Sequence, residues 1–399
     1  MGFERKGFMS ENLIISNIQL KTKNGFNELG GFLDDDYIYF RVPEKFKLHL
    51  SAEWFIGVAL LEAMVTNRTI ELDDKSSISD QLLDQLKEVQ SIFTCWNPDL
   101  YRVDIQAEKN SEDHEYSAVG SFFSGGVDGS HTLTRHMADI THLIMLRVFD
   151  MGDDQVTWDQ HVATQTAFAK SLGKSLVPVE TNARDWADGK QIAWGFAHGL
   201  MLSAAGTALG LKRIYIASGH SYEKLLPWGT HPLTDPMWST ESTKVIHDGA
   251  ACRRTEKIQE ILKYPDVANN LKVCWKNIHK NCGVCSKCIR TMTAVFLLGG
   301  QIQSLPALRD FSQLKKLTPT NAPSADNLED LVILAKEVDN RMLYKALKKY
   351  YKKYQFSSLW SMMDKCIFGG RVRKLYRSIK KPRWLDLRVT IISPNRGEL

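Results

Sequence analysis

The sequence predicts an α/β protein whose core is a doubly wound parallel sheet, preceded by a small α+β module and followed by a helical region. From about residue 115 to 300, short β-type runs alternate with longer helix-type runs, the pattern of strands joined by helical crossovers. A glycine-rich turn joins the first of these strands to the first helix. These features divide the chain into residues 1–112, 113–303 and 304–399.

The N-terminal region combines β-type runs with two helical segments. Ser51 stands directly before the first helical segment and is a residue type favoured at helix N-caps. This region shows no recognisable chemistry, so we interpret it as a scaffold or a substrate-recognition lid. The predicted strands are Leu13–Leu20, Tyr37–Val42, Thr69–Leu72 and Tyr101–Gln106, and the predicted helices are Ala52–Val65 and Gln81–Phe93.

The central region supplies the predicted parallel sheet. Ligands of such sheets bind beyond the carboxyl ends of the strands, so the residues that follow each strand are the candidates for a site. The predicted strands are Ser117–Phe123, His142–Phe149, Ser175–Val179 and Arg213–Ala217, joined by a helix that ends near Met137 and by the helices Trp158–Leu172 and Gln191–Leu209.

The C-terminal region is predicted to be helical, first acidic and then strongly basic. Tyr344–Tyr354 and Val372–Ile379 have the spacing of amphipathic surface helices. Residues 341–388 hold fifteen Lys or Arg against two Asp, a net charge of +13, which leaves −8 on the rest because the whole chain carries +5. This polarity fits an RNA, another anionic ligand or an acidic protein partner, and a solvated helical tail is the alternative.

The composition is that of a globular protein, and we expect the chain to be cytoplasmic. Its N-terminus is polar and lacks the apolar segment of a secretory signal. The longest apolar stretch, Trp54 to Val65, is too short to span a bilayer and contains Glu62, so no membrane association is expected. Seven cysteines, four of them within fifteen residues, indicate metal binding rather than disulfides in such a protein.

The clearest candidate for ligand binding is the loop Ser124–Ser130, with the sequence Ser-Gly-Gly-Val-Asp-Gly-Ser. Its adjacent glycines let backbone N–H groups turn inward to bind an anion, and the following helix directs its positive end to the same place. The hydroxyls of Ser124 and Ser130 add donors. The loop lacks the lysine of a Walker A motif and the glycine spacing of a Rossmann fingerprint. A tight turn without a ligand is the alternative interpretation.

A second motif is formed by Cys274, Cys282, Cys285 and Cys288. Four thiolates at this spacing can close a tetrahedron around Zn²⁺, and Cys285 and Cys288 can face one metal from the first turn of a helix. Such a site has no open coordination position, so we predict a structural metal. An iron–sulfur cluster and four buried free thiols are the alternatives.

The loop resembles the SGGxDS signature of the PP-loop ATP pyrophosphatases. Together with the cysteine pattern about 145 residues later, residues 115–300 resemble the 7-cyano-7-deazaguanine synthase (QueC-like) family. The resemblance implies cleavage of ATP between its α and β phosphates and transfer of AMP to a substrate carboxylate. It also implies that Zn²⁺ is held by the four cysteines and that the phosphates and Mg²⁺ are held by Ser124, Gly125, Gly126, Asp128 and Ser130.

The sequence departs from the family pattern in two places, which limits the family properties that the resemblance implies for this chain. Gly129 stands where the family usually has serine, although Ser130 follows. The stretch from Ser218 to Pro236 lacks the Tyr-Pro-Asp-Cys-Arg run of the family's substrate segment. The resemblance therefore implies the adenylating chemistry and leaves the deazaguanine substrate open.

Several polar residues should lie near strand ends in this fold. Asp150 follows the second central strand, and Ser218 and His220 follow the fourth. We assign Asp128, Ser124, Ser130 and His220 to catalysis, and Ser124, Gly125, Gly126, Val127, Asp128, Gly129, Ser130, Asp150 and Ser218 to nucleotide binding. Further candidates, each of which can equally serve a structural role, are Glu180, Thr181, Asn182, His231, Asp235, Glu241, Arg253, Arg254, Lys257 and a cover formed by Pro227–Trp238.

We therefore predict an ATP-dependent ligase that activates a carboxylate as acyl-AMP for attack by ammonia or an amine. The alternatives are a PP-loop enzyme that modifies tRNA, with the basic tail holding the RNA, and a non-catalytic ATP-binding subunit of a larger assembly. The expected cofactors are ATP, Mg²⁺ and Zn²⁺. The basic C-terminal region offers a surface for a protein or RNA partner, and assembly into a homodimer is left open.

Overall fold

The computed structural model describes residues 12–73, 76–147, 154–277 and 279–368. The α/β class predicted from the sequence is confirmed, because a large and mostly parallel sheet forms the centre of the molecule. The end of the strand predicted to reach Phe149, the candidate Asp150 and the segment Val372–Ile379 lie outside the described residues.

Twelve strands occur in the described ranges. They are β1 Leu13–Lys23, β2 Phe26–Leu33, β3 Asp36–Pro43, β4 Ile70–Leu72, β5 Ser77–Ser79, β6 Ile105–Gln106, β7 Glu108–Asn110, β8 Val119–Phe122, β9 His142–Leu146, β10 Ser175–Thr181, β11 Arg213–Ala217 and β12 Lys244–Asp248. The predicted bounds of β11 match the structure residue for residue. Of the predicted strand Tyr101–Gln106, only the last two residues form a strand, β6. β2, β5, β7 and β12 were not predicted.

Eleven α-helices occur in the same ranges. They are α1 Ala52–Thr66, α2 Asp80–Trp96, α3 Val127–Arg135, α4 Gln155–Ser171, α5 Ala183–Gly189, α6 Trp194–Ala208, α7 Arg254–Ile261, α8 Pro265–Asn269, α9 Ser286–Leu297, α10 Ala322–Glu337 and α11 Arg341–Phe368. Short 3₁₀ helices cover Tyr222–Lys224, Asp235–Trp238 and Phe311–Leu317. Within the described part of the chain, no helix combines the length and apolar character needed to cross a membrane.

Ten strands form one sheet in the order β12-β11-β8-β9-β10-β3-β2-β1-β4-β6. The five strands from β12 to β10 are parallel to one another. β8, the first of these in the chain, lies in the middle, with β9 and β10 on one side and β11 and β12 on the other, which is the arrangement of a doubly wound sheet. The strand order reverses between β8 and β11, so a ligand crevice is expected where these two strands end.

The N-terminal strands continue this same sheet. β3 pairs antiparallel with β10 through Arg41 opposite Glu180 and Thr181 opposite Phe40. The guanidinium of Arg41 lies 2.6 Å from the Glu180 carboxylate, which is almost fully buried. β2 and β1 then add antiparallel strands, and β4 and β6 add parallel ones. The predicted N-terminal module therefore shares its sheet with the central region.

Two hydrophobic cores cover the two faces of the sheet. Along β11, Ile214 and Ile216 belong to one core and Tyr215 to the other, as the alternation of side chains in a strand requires. The first core is centred on α1 and α6. A Cβ at Gly57 of α1 would lie 2.8 Å from Ala204 of α6, so the two helices approach as closely as they do because this residue is glycine.

The N-terminus of α1 has the predicted cap. The Ser51 hydroxyl accepts a hydrogen bond from the Trp54 N–H at 3.4 Å. Nearly every residue of α1 is buried. This burial explains why its sequence is apolar throughout rather than amphipathic. The helix is therefore an internal element between the sheet and α6.

Candidate functional site

The loop Ser124–Ser130 lies at the carboxyl end of β8, at the point where the strand order reverses. The expected strand precedes it, and the expected helix α3 begins at Val127, within the loop rather than after it. Gly125 has a φ of +75°, a conformation that favours glycine, and Gly126 is the N-cap of α3 with an extended backbone. The loop therefore turns back on itself directly before the positive end of a helix, where anions bind.

The two serines of the loop occupy different environments. Ser124 is exposed, whereas Ser130 is 1% exposed and its Oγ has no hydrogen-bond partner among the described residues. A buried hydroxyl without a partner is unusual and is consistent with a ligand oxygen that would complete the site. Gly129 has a packing explanation, since a Cβ there would lie 3.1 Å from the Phe122 carbonyl oxygen. Its glycine lets α3 pack tightly against β8.

Asp128 forms ion pairs with two cations of α7. The Arg254 guanidinium lies 2.8 Å from one carboxylate oxygen and the Lys257 Nζ lies 3.0 Å from the other. Burial alone would raise the pKa of Asp128, but the charges of Lys257 and Arg254 hold it well below its ordinary value. Lys257 is 2% exposed and its Nζ also donates to the Ser218 carbonyl at 2.6 Å. Lys257 thus links the loop to the residue that follows β11.

A third cation comes from α9. Burial and the neighbouring charge of Arg254 lower the pKa of Arg290 to about 9, so its guanidinium remains protonated at neutral pH. The Nε atoms of Arg254 and Arg290 are both buried and have no hydrogen-bond partner among the described residues. With Lys257, the three side chains place more positive charge around the loop than Asp128 neutralises. Arg290 was not predicted from the sequence.

Ser218 and His220 follow β11, beside the loop. The Ser218 N–H donates to the Asp248 carbonyl at 2.7 Å, and its hydroxyl donates to the His220 carbonyl at 2.6 Å. The His220 ring borders a cleft that Arg254 and Lys257 also line. Burial lowers the pKa of His220, so its imidazole is neutral at pH 7 and able to accept a proton.

Carboxylates of α10 also line this cleft. Asp326 and Glu329 line it, and Lys224 bridges the two carboxylates at 3.8 and 2.9 Å. The cleft is therefore lined by side chains of both charges, and it lies beside the loop because two of its cations, Arg254 and Lys257, pair with Asp128.

The other predicted polar candidates lie elsewhere. Glu241 accepts hydrogen bonds from the Ser79 hydroxyl and the Gln81 N–H at the start of α2. Glu180 accepts from Arg41 and from the Trp158 indole N–H. These contacts are structural and do not bring either carboxylate to the loop.

Arg253, His231 and Asp235 also have partners within the protein. Arg253 pairs with Glu256 at 2.9 Å. The buried Asp235 accepts from the His231 N–H at 2.9 Å and lies 2.7 Å from His247 Nδ1. Two sequence candidates are thereby joined in one buried cluster, in which His247 was not predicted.

The four cysteines of the metal motif converge. The Sγ atoms of Cys274, Cys282, Cys285 and Cys288 lie within 4.8 Å of one another, and Cys282–Cys288 and Cys274–Cys285 are each separated by 4.0 Å. Tetrahedral Zn²⁺ with Zn–S bonds of about 2.3 Å would place its sulfurs about 3.8 Å apart. The cluster could therefore hold a metal ion.

Backbone N–H groups surround these sulfurs. The Cys285 N–H donates to Cys282 Sγ at 3.3 Å, and the Lys276 N–H donates to Cys274 Sγ at the same distance. Burial alone would raise the pKa of Cys274, but hydrogen bonds to its sulfur lower it to about 6. At Cys274 the thiolate that binds metal is therefore favoured, whereas burial raises the pKa of the Cys288 thiol.

Residues 271–288, which carry the four cysteines and are called the cysteine segment below, are hydrogen-bonded to the loop Ser124–Ser130. The Lys272 N–H donates to the Gly125 carbonyl at 2.7 Å. Asn281, which is buried, accepts from the N–H groups of Val273 and Cys274 and donates to the Leu271 carbonyl. The conformation of the cysteine segment therefore fixes the position of the Gly125 carbonyl.

We expect Gly125→Ala to destabilise the protein by roughly 2–3 kcal/mol, since alanine is strained at positive φ and its Cβ would lie 3.0 Å from the Lys272 Cβ. Gly173→Ala is the matched control, because Gly173 has a similar φ of +68° but open space around its Cβ position. The control should cost about 1 kcal/mol. Urea unfolding measures both, and equal losses would show that the contact with Lys272 has no energetic role.

Comparison of the chain with protein-family models, with curated proteins and with solved structures yields no match. Function is therefore inferred from the residues of the chain and their arrangement.

Proposed function

We propose that this protein is an adenylate-forming ligase of the PP-loop ATP pyrophosphatase type, similar to 7-cyano-7-deazaguanine synthase. It would activate a carboxylate as acyl-AMP, with release of pyrophosphate, for attack by ammonia or an amine. The observation that carries this proposal is the loop Ser124–Ser130 at the switch point of the sheet, surrounded by Arg254, Lys257 and Arg290. The chain would act in the cytoplasm, where clustered thiols stay reduced.

The residues fit the triphosphate of ATP in several respects. Backbone N–H groups at the start of α3 and the orphaned Ser130 hydroxyl can donate to phosphate oxygens. Arg254 and Arg290 each keep a buried Nε available for a further bond. Cations placed where negative charge accumulates on departing pyrophosphate stabilise the transition state.

The proposed reaction has two steps. A carboxylate oxygen of the substrate attacks the α phosphorus, the bond from that phosphorus to the bridging oxygen breaks, and pyrophosphate leaves with both electrons of the bond. An amine nitrogen then attacks the carbonyl carbon of the acyl-AMP, AMP leaves, and the nitrogen gives up a proton. His220, neutral and bordering the cleft, is positioned to accept that proton.

Asp128 has a positioning role in this proposal. Both of its oxygens accept from cations, so it orients Arg254 and Lys257 toward the loop. Each Asp128 oxygen accepts from one of these cations, so the carboxylate keeps lone pairs with which it could also hold Mg²⁺ that enters with ATP. Mg²⁺ bound with ATP would neutralise phosphate charge.

We assign Zn²⁺ to the four-cysteine cluster as a structural ion. The four sulfurs match the ligand number, the ligand type and the approximate spacing of such a site. The ion would hold the cysteine segment, and through Lys272 the loop, in place.

The test is pyrophosphate release from ATP and Mg²⁺ over a panel of carboxylic acids that includes 7-carboxy-7-deazaguanine. We expect release that depends on one class of acid. Ser130→Ala should lower its rate about 10- to 100-fold by removing a donor to the phosphates. Ser121→Ala is the matched control, because Ser121 Oγ is also buried and without a partner but lies within β8 before the loop.

Two results would contradict the proposal, and a third would exclude Ser130 from it. ATP binding without pyrophosphate release for any acid would favour a non-catalytic nucleotide-binding subunit. Release that depends on tRNA rather than on a free acid would favour a tRNA-modifying enzyme. Equal effects of Ser130→Ala and Ser121→Ala would remove the loop hydroxyl from the mechanism.

A further inference from the structure

The helix α11 carries a one-sided array of positive charge. Arg341, Lys345, Lys348, Lys349, Lys352 and Lys353 recur at spacings of three and four residues, so they lie within an arc of about 140° around the helix. The array is about 18 Å long. No acidic residue occurs from Arg341 to Met363, so the charge is not balanced within this stretch of the helix.

The rest of the described structure does not neutralise this array. Among the described residues no ion pair involves its five lysines, and Arg341 pairs at 3.4 Å with Asp339, both side chains being more than 80% exposed. Four pairs of like charge stand four residues apart along the array, each costing roughly 0.2–0.5 kcal/mol. The arrangement is electrostatically unfavourable in isolation, and an anionic partner would relieve it.

The opposite side of α11 is already covered. Leu343 and Leu347 are fully buried in the core that α11 shares with α10. The side of α11 that carries Leu343 and Leu347 is therefore not available to a partner, and the exposed cationic side is the candidate binding surface. Further along the helix, Phe356 and Leu359 are 74% and 55% exposed and lie within the same arc as the lysines.

We propose that this cationic face of α11 binds the phosphate backbone of a nucleic acid without reading its sequence. Successive lysines such as Lys345, Lys349 and Lys353 stand about 6 Å apart along the helix axis, a repeating linear array that suits a polymer with one charge on every monomer. Lysine acts as a point charge toward phosphate, which holds the backbone and carries no base specificity.

The face lies next to the wall of the cleft. Tyr351, on the same helix, lies beside Glu329, which lines the cleft and pairs with Lys224. A nucleic acid on α11 would therefore pass close to the cleft. The binding itself does not depend on adenylation and would stand if the proposed reaction failed.

The experiment is fluorescence anisotropy with the full chain and two labelled probes, a 30-nucleotide RNA hairpin and a 30-base-pair DNA duplex. We expect binding to at least one of them, with log K falling against log salt at a slope of about −4, as for some five neutralised phosphates. The combined variant Lys345→Glu, Lys349→Glu, Lys352→Glu should weaken binding at least tenfold and flatten the slope. Its melting temperature should not fall and should rise slightly, because these side chains are exposed and the substitutions turn three of the four like-charge pairs into pairs of opposite charge.

The matched control is Lys21→Glu, Lys23→Glu, Lys47→Glu, which changes the net charge equally at exposed positions of the N-terminal region. It should bind the probes nearly as well as the unmodified chain. Equal losses in both variants would show that net charge alone is responsible and would overturn the proposal. So would tighter binding to polyglutamate or to phosphatidylserine vesicles than to either nucleic acid, and so would the absence of salt-dependent binding.

Discussion

Asp128→Ala is expected to abolish pyrophosphate release and to lower the free energy of unfolding by about 3–5 kcal/mol. The second effect arises because Lys257, which is 2% exposed, would remain as a buried charge without its carboxylate partner. Loss of activity has a separate cause, since Arg254 and Lys257 would no longer be oriented toward the loop. Urea unfolding and the pyrophosphate assay measure the two effects independently.

A double variant measures how much of the lost stability comes from the unpaired charge of Lys257. Asp128→Ala combined with Lys257→Met removes the uncompensated charge and should recover most of the lost stability, whereas pyrophosphate release should stay absent. If the double variant regains activity with stability, Asp128 serves folding alone. If the single variant unfolds at the same urea concentration as the unmodified chain, the ion pairs have no net role.

The contribution of Asp128 should also depend on pH in a defined direction. Its pKa is lowered in the folded protein, so its ionised form stabilises the fold above the ordinary value of 3.8, and this stability is lost as the pH falls through the folded pKa. The difference in unfolding free energy between the unmodified chain and Asp128→Ala should therefore be full at pH 7 and shrink below pH 3.8. A difference that grows on acidification would contradict the assigned ion pairs.

Cys288→Ser should remove the bound metal, lower the unfolding free energy by at least about 3 kcal/mol and weaken ATP binding more than tenfold. Structural zinc contributes folding free energy directly, because the site does not exist in the unfolded chain. The effect on ATP follows from the bond between the Lys272 N–H and the Gly125 carbonyl, which the cysteine segment holds in place. Zinc content, urea unfolding and calorimetric ATP titration are the measurements.

Cys95→Ser is the control, because Cys95 is exposed and outside the cluster. It should leave zinc content and ATP affinity unchanged. Loss of zinc with unaltered ATP affinity would show that the loop does not depend on the metal site. Full zinc occupancy in Cys288→Ser would show that the fourth sulfur is not a ligand.

Much of the fold followed from local patterns in the sequence. The alternation of strands and helices predicted the parallel part of the sheet, and the Ser51 cap and β11 were located correctly because their signals are local. β2 was missed because Gly30 and Gly31 resemble a turn. In the structure, a Cβ at Gly30 would lie 1.9 Å from the Tyr37 hydroxyl, so this glycine leaves room for the Tyr37 side chain on the neighbouring strand β3.

The candidate site, like the fold, was predictable from the sequence only in part. The loop and the cysteine cluster were predictable because each is a contiguous motif whose spacing carries its chemistry. Arg290 and His247 were not, because their roles depend on contacts between distant segments. Arg290 lies two residues beyond the last cysteine, and its effect on Arg254 exists because α9 packs against α7. Only the three-dimensional arrangement relates these positions.

The junction between β3 and β10 has a consequence for how the chain is made. Arg41 and Glu180 are 139 residues apart in the sequence, so β3 leaves the ribosome on the order of ten seconds before its partner at synthesis rates of about 5–20 residues per second. During that interval β3 presents an open edge rich in aromatic and branched side chains, the kind of edge that associates with other chains. The N-terminal segment of this protein is therefore expected to be most prone to association with other chains until β10 has left the ribosome.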